Sequence, residues 1–447
     1  MVGFRPPAPA SAVAPLPASR PRLLPSSWRP PRAGLRRDLW ISVADAAAFY
    51  VMVGCGETYL SAFALAVGLG PVAAGMVASV PILVGAVVQL VTPLGVKALG
   101  TNRGWVVLCT ILQSVSFVPL IAWAIRGHAT LVELLVAASI YWAAGMAGVP
   151  AWNTWMGTLV PPRMRTTYFA QRNRLGQFGA FFGFVIGGLI LQQGERRGNP
   201  LVAFAVLFAI AAACRLLSTG CLLACRELVV PTRPDVGPSQ GLVARARAAV
   251  TEMAASPSGT LITFLWCFMF GAHFSAPYFT PYMLREMGFS YGGFMLVMAT
   301  GFLAKAVAMP SLGRLGSRIG SVRLLWVGGL VCAPLALLWI VSENVGYLVA
   351  VQVLAGTAWA CFELAVALLF FDAVREHERT GVLTVYNLGL AIATVAGAAA
   401  GGALLRLLGE DRLAYFAVFV VASLVRLATL PLLRRVRHAE PRPRTAD

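Results

Sequence analysis

Three ionisable side chains, Glu57, Lys305 and Glu363, sit deep inside long apolar runs, where their chemistry is hardest to explain away. A charge at the centre of a bilayer costs roughly 2.5–3.5 kcal/mol, even on the lenient insertion scale, unless it faces water or a partner. At about 1.5 Å per helical residue, Glu57 lies about 24 Å along a first helix of about 40 Å, and Lys305 and Glu363 fall near the middles of the eighth and tenth. A carboxylate at that depth is suited to loading a proton on one side of a membrane and releasing it on the other. The same residues also fit a structural reading, as a fixed Lys305–Glu363 ion pair or a hydrogen-bonded glutamate tying helices together. His273, Asn153, Asn387 and Tyr59 add hydrogen-bonding groups, each serving either a polar chamber or a helix contact.

The elements that must position these groups are membrane helices. The chain has 447 residues, 58% hydrophobic and 12% charged, with mean hydropathy +0.75. A soluble protein of this composition would be covered in apolar surface. Trp105 to Ile125, Leu175 to Gly194, Leu324 to Ser342 and Thr380 to Leu405 contain no charged residue. Runs of that length predict spanning helices with internally satisfied backbones. Breaks at glycine, proline and charge give twelve spans in two sets of six, an all-α membrane protein. The organisation expected is a basic, disordered tail over 1–38, a six-helix bundle over 39–226, a linker over 227–256, a second bundle over 257–435 and a tail over 436–447. Residues 1–38 hold nine prolines and seven arginines, with no acid before Asp38. That composition fits a cytoplasmic tail, or an organelle transit sequence whose proline content opposes an amphipathic helix. A short surface helix is expected near 245–253.

The net charge of +18 gathers in loops and tails rather than on an element that could enter a nucleic-acid groove, so no nucleic-acid partner is expected. With twelve spans, both termini and every second connection share one side, which carries 27 of the 36 Lys and Arg. Both termini are therefore expected in the cytoplasm, with the protein in the cell membrane. The eight cysteines fall in apolar segments without a Cys-x-x-Cys pair, and read as small buried hydrophobes. No metal, cofactor or catalytic constellation is expected, and the absence of a phosphate-binding Gly-x-x-x-x-Gly-Lys-Ser/Thr loop leaves ATP out as a direct energy source.

The two sets of spans repeat one another. Arg165, Thr166 and Asn173 return as Arg379, Thr380 and Asn387 at an offset of 214, and Gly183, Gly187 and Gly188 return as Gly397, Gly401 and Gly402. Gly68 and Gly100 return as Gly288 and Gly320 at 220, and Phe208, Arg215 and Arg226 return as Phe419, Arg426 and Arg437 at 211. Six spans per copy make the repeats parallel, related by an axis along the membrane normal, and two such bundles can rock about a site between them.

The connection after span 8, Gly313-Arg-Leu-Gly-Ser317-Arg318-Ile-Gly320-Ser-Val-Arg323, resembles the signature loop of major facilitator superfamily transporters, with Ser317 where an acid usually sits. The loop after span 2, Gly95 to Arg103, is a shorter version. Trp152, Trp155, Leu159, Val160, Pro161, Arg165, Phe169 and Arg172 look like the superfamily's turn from span 4 to span 5. Span 5 resembles its antiporter motif, with Phe184 in place of the proline. The resemblance implies two six-helix bundles around a cavity lined by spans 1, 4, 7 and 10, with Glu57 and Glu363 on opposite halves facing each other and His273 in a lining span. Gly313, Arg318, Arg323, Arg165 and Arg172 are candidates for a cytoplasmic gate. Arg174 and Gln177 join that network or snorkel to headgroups. Arg215 and Arg426, in matching spans expected outside the cavity, read as structural, and Asp45 and Asp372 as partners of loop arginines. The function implied is secondary active transport of a small solute by alternating access, with proton coupling, by a monomer in a lipid bilayer. The alternative is a membrane sensor or scaffold with a degenerate transporter body.

Overall fold

Glycine, proline and charge divide the chain into helices in the structure, a computed structural model that describes residues 32–161, 165–227, 257–373 and 379–436. Among these residues there is no strand, and twelve helices are long and apolar enough to cross a membrane. They are α1 (Gly34–Ala66), α2 (Pro71–Leu99), α3 (Asn102–Arg126), α4 (Leu131–Leu159), α5 (Gln171–Arg196), α6 (Pro200–Ala224), α7 (Gly259–Glu286), α8 (Tyr291–Gly316), α9 (Ser321–Val341), α10 (Val345–Leu369), α11 (Tyr386–Leu407) and α12 (Arg412–Arg434). Short connections turn successive helices back on one another, so alternate turns collect on one face. The face carrying the start of α1, the α2–α3 and α8–α9 turns and the end of α12 is the tail face; the other is the far face. Gly100 and Gly320 make the two tail-face turns at φ +72° and +84°, and Gly68 and Gly288 make their far-face counterparts at +89° and +63°. The glycines repeated in the sequence thus do the same job in both halves, adopting a backbone that other residues rarely reach.

The first helix begins at Arg32, so the last seven residues of the expected disordered tail are helical. The reason is Asp38, which is buried and accepts hydrogen bonds from Nε and Nη2 of Arg226, both at 3.0 Å. An acid with a partner across the bundle ends the tail before it. Beside it, the Glu227 carboxylate accepts the backbone N–H groups of Asn102 and Arg103 at 2.9 and 3.2 Å, where the α3 dipole favours an anion. The root of the linker is thereby tied to the first half; the helix expected near 245–253 lies outside the described residues.

Two repeated tyrosines mark the joints of the bundles. Helix α1 is interrupted by a 3₁₀ turn over Glu57–Tyr59, and α7 by one over Ala276–Tyr278. The Tyr59 hydroxyl donates to the carbonyl of Phe184 in α5 at 2.6 Å, and Tyr278 to that of Ala398 in α11 at 2.5 Å. A Cβ at Gly187 would meet the Tyr59 ring at 2.6 Å, and one at Gly401 would collide with the Phe274 carbonyl one turn before Tyr278. Small residues therefore let α1 cross α5, and α7 cross α11, at backbone contact.

The apolar core has the form of a Y. Toward the far face a single cluster joins both halves, including Tyr59, Phe63 and Phe184 from the first and Tyr278, Phe294 and Val297 from the second. Toward the tail face it divides into two separate clusters, one around Val106, Trp155 and Leu222 and the other around Phe264, Leu325 and Phe362. Five cysteines are buried as expected, but Cys267 is exposed, because it lies on an outer apolar groove between α7, α11 and α12.

Candidate functional site

Where the two clusters part, α5 and α8 carry an aromatic seal. The Phe184 ring stacks on Tyr59 with centroids 4.8 Å apart and meets Phe294 at 5.8 Å and Phe302 at 5.7 Å. On the far-face side of it, Gln192 accepts the N–H of Gly292 at 2.5 Å and Glu195 that of Tyr291 at 3.3 Å. The α2–α11 contact closes the other flank, where a Cβ on Gly402 would lie 3.2 Å from Val72 and one on Gly75 would meet Tyr278 at 2.6 Å. The halves are thus sealed together toward the far face. Toward the tail face they stand apart, their buried residues forming two separate clusters.

The Lys305–Glu363 pair faces the open side. Lys305 lies one helical turn from Phe302 in the tail-face direction, and its Nζ is 2.8 Å from Oε1 and 2.6 Å from Oε2 of Glu363 across the α8–α10 contact. The side chains are 25% and 44% exposed, so this intramembrane ion pair is reachable from outside the protein. The ion pair that the sequence left open does form. Glu57 is held differently. It sits in the 3₁₀ interruption of α1 and accepts a hydrogen bond from the buried hydroxyl of Tyr141 in α4 at 2.7 Å. Its described contact lies within the first half, and no hydrogen bond joins it to Glu363 among the described residues.

The remaining expected residues distribute along the open side. Asn153 and Asn387 are exposed on α4 and α11, and His273 is half-buried on α7 and makes no hydrogen bond among the described residues. Arg318 and Arg323 are exposed at the tail face. Gly313 is exposed too, and a Cβ there would meet nothing within 4 Å. The side chains of Arg165, Ser317 and Asp372 lie outside the described residues.

Arg172 is turned into the first half. Its Nη2 donates to Asp45 at 2.9 Å, its Nε to the Ser42 carbonyl at 3.2 Å, and its guanidinium lies 4.3 Å from the Trp152 ring centre. Asp45, expected to pair with a loop arginine, is 3% exposed, and its second oxygen accepts the Ser218 hydroxyl at 2.7 Å. Arg215, expected to be purely structural, donates to the same hydroxyl oxygen at 2.8 Å and lies 4.7 Å from the Phe49 ring centre. Asp45, Arg172, Arg215, Trp152 and Asn153 line one cavity of about 220 Å³ inside the first bundle. Sequence reasoning missed this cluster, because its residues come from α1, α4, α5 and α6 with no spacing in common. The one available signal was that Asp45 is the lone acid inside the first span before Glu57.

The model described as Major Facilitator Superfamily matches residues 260–447. No curated protein matches the sequence. Among solved structures, the nucleoside transporter NupG superposes with a TM-score of 0.71 at 12% identity, covering 90% of this chain and 99% of that one. A bacterial homolog of the human lysosomal transporter Spinster gives 0.70 at 15%, covering 93% and 100%. The E. coli fucose:proton symporter FucP gives 0.58 at 13%, covering 90% and 98%.

Proposed function

We propose that this chain, a membrane protein with the major facilitator superfamily transporter fold, is a secondary active transporter that carries a small solute by alternating access between its two halves, coupled to protons. The observation that carries the reading is the asymmetry of closure. A continuous apolar core joins the halves toward the far face, it divides into two clusters toward the tail face, and a partly exposed charged pair lies midway along α8 and α10. That is one of the two states such a cycle requires, with the solute site open to one side only. The excess of Lys and Arg on the tail face supports a cytoplasmic placement of that side, and with it an inward-open reading of this conformation.

Lys305 and Glu363 form the solute-facing wall in this proposal. Protonation of Glu363 removes the charge that holds Lys305, freeing an ammonium group for a solute, and loss of the proton restores the pair. Glu57 is the second acid proposed for proton loading, close to the break in α1 where the helix can bend. Gly313, Arg318 and Arg323, with Arg165 on the other half, form the cytoplasmic gate, and Arg172 braces the first half from within through Asp45. Gly313 supports this role: a glycine inside a helix costs about 1 kcal/mol relative to alanine, and here no neighbour needs the space. A closed tail face would need it. Among the structures of like fold, a fucose:proton symporter makes proton coupling a natural starting point.

The test is transport into proteoliposomes under an imposed pH gradient, screened over pools of sugars, nucleosides, peptides and organic acids. Glu363→Gln and Glu57→Gln should each abolish gradient-driven accumulation of the transported solute. Undiminished accumulation in both variants would end the coupling proposal, and no transport of any pool would count against the transporter reading itself.

A further inference from the structure

We infer that the cavity inside the first bundle is a binding site for a small organic monocarboxylate, distinct from the Lys305–Glu363 pair, neither of which lines it. Its polar floor carries two guanidinium groups and one carboxylate. Asp45 is already engaged by Arg172 and Ser218, so the set retains one positive charge. Arg215 is 7% exposed, lines the cavity, and donates one side-chain hydrogen bond among the described residues, from Nη1 to Ser218. A buried cation with so few hydrogen bonds is costly, and a carboxylate is the group that satisfies it with charge-assisted hydrogen bonds. The opposite wall is apolar, built by Val106, Cys109, Ala144 and Gly148. The cavity measures about 220 Å³, whereas an apolar cavity of about 150 Å³ suffices for benzene. A carboxylate attached to a compact, benzene-sized body therefore fits both the charge and the volume. Exposed Asn153 marks its open edge.

The second half fills the matching region differently. Arg426 stands where Arg215 does in the repeat, with Nη1 donating to the carbonyl of Cys332 at 2.9 Å and Nε to that of Ala422 at 3.1 Å, while its Nη2 has no hydrogen bond among the described residues. The position matching Asp45, at the offset of 219 that relates Tyr59 to Tyr278, is Phe264. Phe264 packs on Phe268 and Phe362 at 5.5 and 6.3 Å. One copy of an ancestral position was filled with aromatic rings, and the other holds charge around an empty volume.

The inference does not depend on the transport cycle and is tested by equilibrium binding of radiolabelled benzoate to the purified full-length protein, with benzamide as the neutral isostere. Benzoate should bind and benzamide should not displace it. Arg215→Gln should weaken benzoate binding about tenfold or more, the loss expected for a hydrogen bond to a charged group. Because a buried arginine can also matter for folding, Gly148→Leu supplies an independent variant that fills the cavity and should abolish binding. Gly148→Ala, whose Cβ would sit at an ordinary 3.5 Å from Cys109, should retain it. Equal competition by benzamide, unchanged affinity in folded Arg215→Gln and Gly148→Leu, or binding lost only on Lys305→Gln would each overturn the assignment.

Discussion

Truncating one ring should move the conformational equilibrium without touching the charges. Phe184 is 1% exposed, and its neighbours divide between the halves: Tyr59 belongs to the same half, Phe294 and Phe302 to α8. Removing a buried phenylalanine ring costs about 3–5 kcal/mol in total. Only part of that loss depends on conformation, because Tyr59 stays beside α5 when the halves rock. Aromatic pairs are worth ~0.5–1.5 kcal/mol each beyond area burial, so the two cross-half pairs contribute ~1–3 kcal/mol to the far-face-closed state alone. At 1.4 kcal/mol per factor of ten, Phe184→Ala should raise the ratio of far-face-open to far-face-closed protein roughly 5- to 150-fold. The assay is a spin-label distance distribution between Arg197→Cys and Arg285→Cys, both exposed at the far face, after replacement of the native cysteines. A longer-distance population should grow in Phe184→Ala. The control is Phe208→Ala, equally buried but packed on Phe63, Phe117 and Phe204 within one half. It should lower thermal stability and leave the distances alone. If Phe184→Ala leaves the distribution unchanged, or shifts it no more than Phe208→Ala does, the seal is not what closes the far face.

Exchanging the charges, as Lys305→Glu with Glu363→Lys, should preserve folding by thermal melt yet lose solute accumulation, because the ammonium moves from α8 to α10. Glu57→Gln keeps an oxygen to accept the Tyr141 hydroxyl, so its thermal midpoint should fall by less than that of Glu57→Ala. Gradient-driven transport should nevertheless be absent in both. Gly313→Leu should fold normally, since nothing occupies its surroundings, and should trap the protein open to the tail face. In that variant a thiol at Asn387→Cys should stay fully reactive toward a membrane-impermeant reagent from the tail side, with transport reduced by more than tenfold; an active Gly313→Leu protein would remove this glycine from the gate.

Much of the scaffold could be read before any coordinates, because bilayer physics leaves few alternatives. Runs such as Trp105 to Ile125 had to be helices, and the repeated glycines at 100 and 320 marked turns, which both take at positive φ. The repeat was legible because its residues serve backbone contact, which tolerates little else. The start of α1 was misplaced because composition alone cannot foresee that Asp38 meets Arg226 across the bundle. The interruption of α1 at Glu57 was likewise hidden, since its flanking Gly54 and Gly56 also read as packing residues. Nothing in an apolar run distinguishes Phe184, which seals two halves, from Phe182, which is exposed. The Lys305–Glu363 pair was foreseeable as a pair, whereas its exposure to the open side depends on the state of the whole molecule.

The contrast between what is repeated and what is not gives the two halves different tasks. Turn glycines, the tyrosine joints and the small-residue crossings occur twice, so the apparatus for rocking is nearly symmetric about the membrane normal. An axis along the normal exchanges the halves but keeps each membrane side in place, so this symmetry gives both bundles the same build without by itself giving a cycle its direction. The ionisable groups in the spans break the symmetry: Glu57 corresponds to Ala276, Asp45 to Phe264 and Lys305 to Gly85 at the offsets that relate the turns. A solute or proton can shift an equilibrium only by binding one state better than the other, and these unmatched side chains are where such a difference can arise. In the proposed cycle, alternating access rests on the duplicated scaffold, and its coupling to chemistry rests on the positions where the copies diverged.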